Sequence, residues 1–520
     1  MTQDRAQAPL PDGATFDYVI CGAGSAGCVL AARLSEDPSV SVLLLEAGHG
    51  DTPDMVSTPL RTIEIWHSDY DGQYEPAPQA HAGNRRIYWP RGKVLGGSSA
   101  MNGMIYVRGT PQDYDAWALQ GCHGWDWDSL RPYFLKSEDF DKGANAHHGS
   151  GGPLHVTTRH ARHPLYPALI EAAGQAGIAF NPDYNGARVD GISYIQFNAR
   201  DGKRASSNAA FLDPARSREN LCVVTQARVS RLGLEDGRVE AVHVVSPSGE
   251  SHVKVRREAV LSAGTLESPR ILMLSGIGPA AHLREMAIDV AMDLPGVGQN
   301  LHDHTLLPMT YAMSEKYEFP TDPSVPPMQV HMFTRSRADI KVPDLQPLFF
   351  CVPAYAPGQT GPDRAVTFHA AGLRPTSRGQ IRLTGKALSY PLALDPNLLA
   401  TEYDVAALVA SMKEIRTITA QPALAAWITG EVYPGPDVTD DAALAEYARS
   451  AVGSYHHQVG TCAMGQGAMA VVDPDLRVRG IRGLRVADAS IIPTIMSGNT
   501  NAPAIMIGEK CADMMRASPH

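Results

Sequence analysis

The chain has no CxxC pair, and its seven cysteines (Cys21, Cys28, Cys122, Cys222, Cys351, Cys462 and Cys511) stand far apart. That pattern excludes a disulfide framework or a cysteine-rich zinc site. Free thiols suit a reducing cytoplasm, the compartment expected here. No apolar run approaches the ~18 residues of a membrane span. The opening stretch "MTQDRAQAPLPDGATFDY" is polar and lacks an apolar leader core. Positive charge is in short supply too, with 45 Lys and Arg against 55 Asp and Glu, a net charge of −10. A nucleic-acid partner needs a concentrated basic face, so none is expected. The basic cluster "RVRGIRGLR" (477–485) is short and reads as solvated strand flanks. His147-His148 lie in a polar glycine loop with no further ligand cluster, so no metal site is expected.

At 520 residues and 44% hydrophobic, the chain can bury a large core and still enclose a ligand. Its densest signal is "FDYVICGAGSAGCVLAARLSEDPSVSVLLLEAG" (16–48). Phe16 to Cys21 reads as a buried parallel strand, Ser25 to Leu34 as a helix and Val40 to Leu45 as a second strand ending at Glu46. Between the first strand and the helix, Gly22, Gly24 and Gly27 form GxGxxG. The first glycine allows the turn, the second lets a pyrophosphate approach the backbone, and the third lets helix and strand pack closely. The helix N-terminus faces the phosphates and Glu46 accepts from ribose hydroxyls. The motif predicts dinucleotide binding without separating NAD from FAD. Glu46 argues against a 2′-phosphate.

Further along, "WPRGKVLGGSSAMNGMIYVRG" (89–109) is a second glycine-rich stretch. "EAVLSAGTLESPRILMLSGIGP" (258–279) reads as strand, turn and a helix from about Glu267. "LPGVGQNLHDH" (294–304) is another glycine-rich turn. Short alternating runs such as "GQIRLTG" (379–385) predict antiparallel strands in the Pro-rich region. "DDAALAEYARSA" (440–451) predicts an acid-capped helix. In "NTNAPAIMIGEKCADMM", Pro503 suits a first helical turn, which sets Asn501 at the start of the last helix. "SYHHQVGT" (454–461) places His456 beside His457. In an extended segment neighbouring side chains diverge, so only one of the two can face a reaction centre.

These motifs, in this order, resemble the glucose–methanol–choline (GMC) flavin oxidoreductases, nearest the bacterial choline and aliphatic-alcohol oxidase and dehydrogenase branch. The resemblance covers nearly the whole chain. It implies an α/β fold with a discontinuous Rossmann-like FAD-binding domain (1–160, 220–310 and 450–520). It also implies an α+β substrate domain on an antiparallel sheet (160–220 and 310–450). FAD contacts are implied at Gly22, Gly24, Ser25, Ala26, Gly27, Glu46, Ala47, Arg91, Gly97, Ser98, Asn102, Gly103, Val107, Val229, Asp488, Ala489 and Asn501. Met101 stands where some relatives carry a flavin-linking His, so the FAD is expected to be non-covalent. By position His457, three residues before Gly460-Thr461, is implied as the catalytic base and Asn501 as its oxygen-positioning partner.

The expected reaction is hydride transfer from a primary alcohol to FAD. An imidazole suits the base, with an ordinary pKa of ~6.5. O2 is the expected acceptor, with a quinone or artificial acceptor as the alternative. The glutamate and Trp pair of choline-oxidising relatives are missing at the matched positions. Segments 313–335 and 344–357 are mostly apolar, with Met313, Tyr317, Phe319, Met328, Met332, Phe333, Phe349 and Phe350. An uncharged aliphatic or aryl alcohol is therefore expected, with choline or a hydroxynitrile-lyase-like reaction as alternatives. Oligomeric state and the roles of His456 and Tyr455 are left open.

Overall fold

The structure is a computed structural model and describes residues 12–324 and 326–518. Most of the polar opening stretch falls on residues 1–11 and lies outside the described residues.

Thr15–Cys21 forms the expected first strand, Ser25–Leu34 the helix and Val42–Leu45 the second strand. These residues are apolar almost throughout because both faces of a parallel sheet are covered. Thr15–Cys21 sits between Val42–Leu45 and the long strand Gly249–Leu261, parallel to both. Leu221–Val224 adds to Val42–Leu45, and Leu484–Val486 to the end of Gly249–Leu261, again parallel. The antiparallel strands Arg238–Ser246 and Arg228–Glu235 complete this seven-stranded sheet. Strands from three distant stretches of chain therefore build one nucleotide-type sheet, as the α/β reading requires.

A second seven-stranded sheet is antiparallel throughout, in the order Ile428–Tyr433, Thr305–Met313, Ala365–Gly372, Leu348–Phe350, Met328–Phe333 and Gly191–Tyr194. The short strand Gly453–Ser454 pairs with the start of Thr305–Met313. Gln380–Leu383 pairs with Leu392–Asp395 in a separate antiparallel ribbon. The two faces of the large sheet differ. Val330, Met332, Phe349, Phe368 and Ala370 join the main hydrophobic core together with residues of the helix Glu402–Thr419. Met328, Phe333, Leu348 and Ala371, with Phe350 packed against them, share a second cluster with Tyr455. So only part of the apolar set expected to contact substrate lies on the side of the "SYHHQVGT" segment. Met313, Tyr317, Met332 and Phe349 belong to the main core, and Phe319 is 41% exposed.

The last helix, Asn501–Ala517, packs along Ser25–Leu34. Gly508 makes the approach close, since a Cβ there would lie 2.8 Å from the Ala26 carbonyl oxygen. Glu509 is fully buried and ties three elements together. It bonds Arg33 of the first helix at 2.7 Å and Lys136 at 3.1 Å, and accepts from the Ser137 hydroxyl at 3.2 Å. Removing one partner of a buried ion pair leaves uncompensated charge. Glu509→Ala is therefore expected to lower unfolding free energy by about 3 kcal/mol, measured by denaturant titration against the parent protein.

Candidate active site

The glycine loop and the second glycine-rich stretch meet. Gly27 has no room for a side chain, because a Cβ would lie 1.9 Å from the Gly22 carbonyl oxygen. Gly97 has φ +53°, and a Cβ there would lie 2.7 Å from the Gly24 Cα. Two backbones thus come together at the N-terminus of Ser25–Leu34, where four unpaired N–H groups and the helix dipole favour an anion. Glu46 ends the second strand beneath them. Its carboxylate accepts from the Ala23 N–H at 2.9 Å and the Gly48 N–H at 2.8 Å. Burial still pushes its pKa up to about 7.

The other proposed contacts divide by what already occupies them. Ala26, Ala47, Ser98, Gly103 and Ala489 lie in these loops or at element ends. Val107 is buried against the backbone at Gly498, and Val229 is buried in Arg228–Glu235. Asn102 accepts from the Met104 N–H and from Arg204 at 2.9 Å. The Asp488 carboxylate accepts from the Gly264 N–H, the Ser268 hydroxyl and the Ser490 N–H. Those two side chains are engaged in holding loops. Arg91 donates to the His456 carbonyl at 2.7 Å and to the Gln458 side-chain oxygen.

The segment around His457 is strapped to "NLHDH". His302 and Val459 exchange backbone hydrogen bonds at 3.2 and 3.0 Å, and the Tyr455 N–H donates to the His304 carbonyl at 3.0 Å. Between those straps Asp303 is enclosed. Its oxygens accept from the His457 N–H at 2.8 Å, the Gln458 amide at 2.7 Å and the Ser454 hydroxyl. His456 has φ +65°, a left-handed conformation. This loop kink, and not the strand alternation expected from sequence, accompanies the divergence of the two rings. His456 packs edge-on to Trp66 at 5.2 Å. His457 lies stacked on Tyr455 at 4.5 Å.

Both nitrogens of the buried His457 ring have partners. Nδ1 lies 3.0 Å from His304 Nδ1, and Nε2 lies 3.1 Å from Asn499 Nδ2. Asn499 Oδ1 accepts from Gln346 Nε2 at 3.0 Å, and the same Gln346 nitrogen lies 3.1 Å from His331 Nδ1. Asn501 is elsewhere: its Oδ1 accepts from the Ser25 hydroxyl at 2.7 Å. The sequence expectation for the partner of His457 is corrected by two residues, to Asn499. Asn501, as the first residue of a helix, turns toward the glycine loop, whereas Asn499 precedes the helix in the loop that faces His457. Burial, with Arg91, His304 and His456 nearby, holds the His457 pKa well below its ordinary value. The ring is therefore held neutral, its pKa below the ordinary imidazole value of about 6.5 expected from sequence. Sequence reasoning missed Asn499, Asp303, His304, His331 and Gln346. The available signal for the first of them was "NTN" itself, which offers two asparagines.

Residues 16–306 and 375–508 match the two family models of the GMC oxidoreductases. The chain belongs to the GMC oxidoreductase family. It is 38% identical to the mitochondrial choline dehydrogenase of Mus musculus, over 97% of this chain and 90% of that protein. It is also 38% identical to an alcohol dehydrogenase [acceptor] of Pseudomonas putida, over 96% and 95%. Among solved structures it is similar to pyridoxine 4-oxidase from Mesorbium loti, with a TM-score of 0.93, 34% identity, and coverage of 97% of this chain and 100% of that one. As a GMC oxidoreductase the chain is an FAD enzyme acting on CH–OH groups. The close glycine backbones, the helix N-terminus and the carboxylate at Glu46 fit the pyrophosphate and ribose of that cofactor. Among the described residues no helix is long and apolar enough to cross a membrane.

Ribose hydroxyls donating to Glu46 favour its ionised form, so binding releases a proton where free Glu46 is protonated. FAD affinity of the apoprotein is expected to rise by up to about tenfold per unit between pH 5 and 7 and then level off. Fluorescence titration of FAD into apoprotein reads this, and Glu46→Gln is expected to flatten the profile.

Proposed function

We propose that the chain oxidises a primary alcohol to the aldehyde, with His457 as base, Asn499 positioning the substrate oxygen and O2 as acceptor. The observation that carries this reading is the pairing of both His457 nitrogens. Two ring nitrogens 3.0 Å apart need one proton between them. The carbonyls of Leu373 and Met496 favour a proton on the His304 ring, although no hydrogen bond closes there within ordinary distance. Nδ1 of His304 faces His457, so that proton belongs on Nε2. Nδ1 of His304 then accepts, Nδ1–H of His457 donates, and the lone pair of His457 lies on Nε2. Asn499 presents an amide N–H to that lone pair.

An alcohol entering here gives its hydroxyl proton to His457 Nε2, and the Asn499 amide donates to the oxygen as negative charge builds on it. The hydride leaves the carbon as the C–O bond becomes a carbonyl. Bound FAD would supply the two-electron acceptor, and with O2 as oxidant those electrons would leave as H2O2. The positive end of Asn501–Ala517 lies beside these groups and favours negative charge. Asp303 spends both oxygens on the 454–458 loop. Of the neighbours acting on His457, Arg91 carries a standing positive charge, whereas burial keeps His304 and His456 neutral. This supports a neutral alcohol over choline. Similarity to an oxidase supports O2, and similarity to an alcohol dehydrogenase [acceptor] supports the alternative. Oxygen uptake with stoichiometric H2O2 tests the first; flavin that stays reduced in air would select the second.

His457→Ala is expected to slow anaerobic flavin reduction by about 10²–10⁴-fold, and Asn499→Ala by about 10²–10³-fold, read by stopped-flow absorbance. Asn501→Ala is expected to weaken FAD retention while leaving reduction of the loaded enzyme much faster than in Asn499→Ala. Equal slowing by the two asparagine variants would remove Asn499 from its role. Met101 is buried among Val56, Ile65, Val94 and Ala100 and offers no nucleophilic nitrogen. Acid precipitation is accordingly expected to leave the yellow FAD in the supernatant.

A further inference from the structure

The ribbon of Gln380–Leu383 and Leu392–Asp395 has one face in the core and the other on a cavity of about 780 Å³. Ile381 and Leu394, paired across it, are buried in the main hydrophobic core. Gln380 and Asp395, paired one residue out of step, turn the other way and line the cavity. Arg378, just before the strand, lines it too, and Gln120, Asn300 and the 463–470 loop add to the wall. Neither His457, Asn499 nor His304 is among the lining residues.

Arg378 and Asp395 are the two charged side chains of this lining, and they do not form an ion pair. Arg378 is half-buried. Its Nε donates to Asn300 Oδ1 at 3.0 Å, and its Nη1 to the Pro375 and Ser377 carbonyls at 2.7 and 2.9 Å. Its Nη2 has no partner among the described residues and is not sealed from solvent. Asp404, the acid that acts on its charge, spends its oxygens on Thr376 and Ser377. Asp395 is exposed, and its Oδ1 accepts from the Asn397 N–H at 3.0 Å and the Gln79 amide at 3.3 Å. Its Oδ2 has no partner among the described residues. Main-chain contacts pin the two residues: a Cβ on Gly379 would lie 2.0 Å from the Asp395 carbonyl oxygen, and the Asn397 amide donates to the Arg378 carbonyl at 3.0 Å. A cation and an anion thus share one cavity, each with a charged atom left over. A half-buried guanidinium without a counter-ion bears its desolvation cost uncompensated.

We propose that this cavity binds a zwitterionic α-amino acid, its carboxylate on Nη2 of Arg378 and its ammonium on Oδ2 of Asp395. Charge-assisted hydrogen bonds of this kind are roughly twice as strong as neutral ones. A polyanion such as phosphate meets the Asp395 carboxylate, and a simple cation meets Arg378. A neutral polyol leaves both charges unmatched. The side-chain amides of Gln120, Gln380 and Gln466 donate to nothing among the described residues and remain for a polar side chain of the ligand. The site is independent of the alcohol-oxidation reading. Asn300 joins it to the His457 loop, because its Nδ2 donates to the Pro493 carbonyl at 3.0 Å and to the Gly460 carbonyl at 3.4 Å. An occupant on Arg378 is therefore one residue removed from a brace of that loop.

The test uses the FAD-loaded enzyme with L-alanine and its two halves: propionate lacks the ammonium and ethylammonium lacks the carboxylate. Inorganic phosphate stands for a plain anion. Ligand-detected NMR titration at constant ionic strength gives each dissociation constant. L-Alanine is expected to bind saturably, and about tenfold or more tighter than either half, the step set by one hydrogen bond to a charged group. Arg378→Gln is expected to weaken alanine binding by about tenfold or more. Asp395→Asn, which keeps the Oδ1 contacts, is expected to bring alanine to within about threefold of propionate. Visible and circular dichroism spectra check FAD content and fold in both variants. No saturable binding of alanine overturns the inference, as does propionate, ethylammonium or phosphate binding as tightly as alanine. So does an alanine affinity that survives either substitution, with Asp395→Asn deciding alone should Arg378→Gln not fold.

Discussion

Asp303 is enclosed, and its two oxygens accept from three donors on the 454–458 loop: the His457 N–H, the Gln458 amide and the Ser454 hydroxyl. Those bonds hold the turn in which His456 is left-handed, and so set where the next ring points. Burial raises the Asp303 pKa to about 6 even against those donors and Arg91. A carboxyl whose pKa is higher folded than unfolded loses stabilisation as pH rises from about 4 through about 6. The fold therefore bears a cost at neutral pH to keep this carboxylate ionised inside. Such local cost is characteristic of functional sites, where a local rule is broken and the surroundings compensate.

The second constraint is the neutrality of the histidines. His302, His304, His331, His369 and His456 are all driven down to about 3 chiefly by desolvation. A neutral imidazole carries one donor and one acceptor, so each ring in a hydrogen-bonded series fixes the next. From His304 through His457, Asn499 and Gln346 to His331, a single assignment of protons satisfies every contact. This series, and not the titration of an isolated imidazole, places the lone pair of His457 that the proposed reaction uses. In the proposed reaction the low basicity that burial imposes on His457 is offset by the Asn499 amide donor on the alkoxide and by the positive charge of Arg91 nearby.

The nucleotide end was legible in the chain because its requirements are local. The helix Ser25–Leu34 begins and ends where apolar periodicity and GxGxxG place it, and Glu46 follows at the expected strand end. The base end depends on contacts across the fold. Asp303 and Ser454 are 151 residues apart in sequence, and no local pattern couples them. His331 and Gln346 lie on or beside strands whose register alone puts them near Asn499. The apolar stretch 313–335 showed its composition but not its faces, and the sheet divided it between two clusters. His456 and His457 were rightly read as diverging, but for a reason that belongs to strands, whereas the actual segment is a kinked loop.

The "NTN" turn shows why position within a motif outranks composition. Thr500 has φ −94° and ψ −2°, already helical in character, and the regular helix starts at Asn501. Asn501 is thereby committed to the axis of that helix and meets Ser25 at the N-terminus of the other long-packed helix. Asn499 sits before the commitment, on the chain that passes Gly498. There a Cβ would lie 2.4 Å from Val107 Cγ1, so the loop must run close to the wall. Two identical side chains, two residues apart, thus serve opposite ends of the site. One braces the helix junction beside the glycine loop, and the other presents its amide to His457. A change in the relative placement of the two helices would move both together, so the glycine loop and the His457 contact are mechanically coupled through one turn.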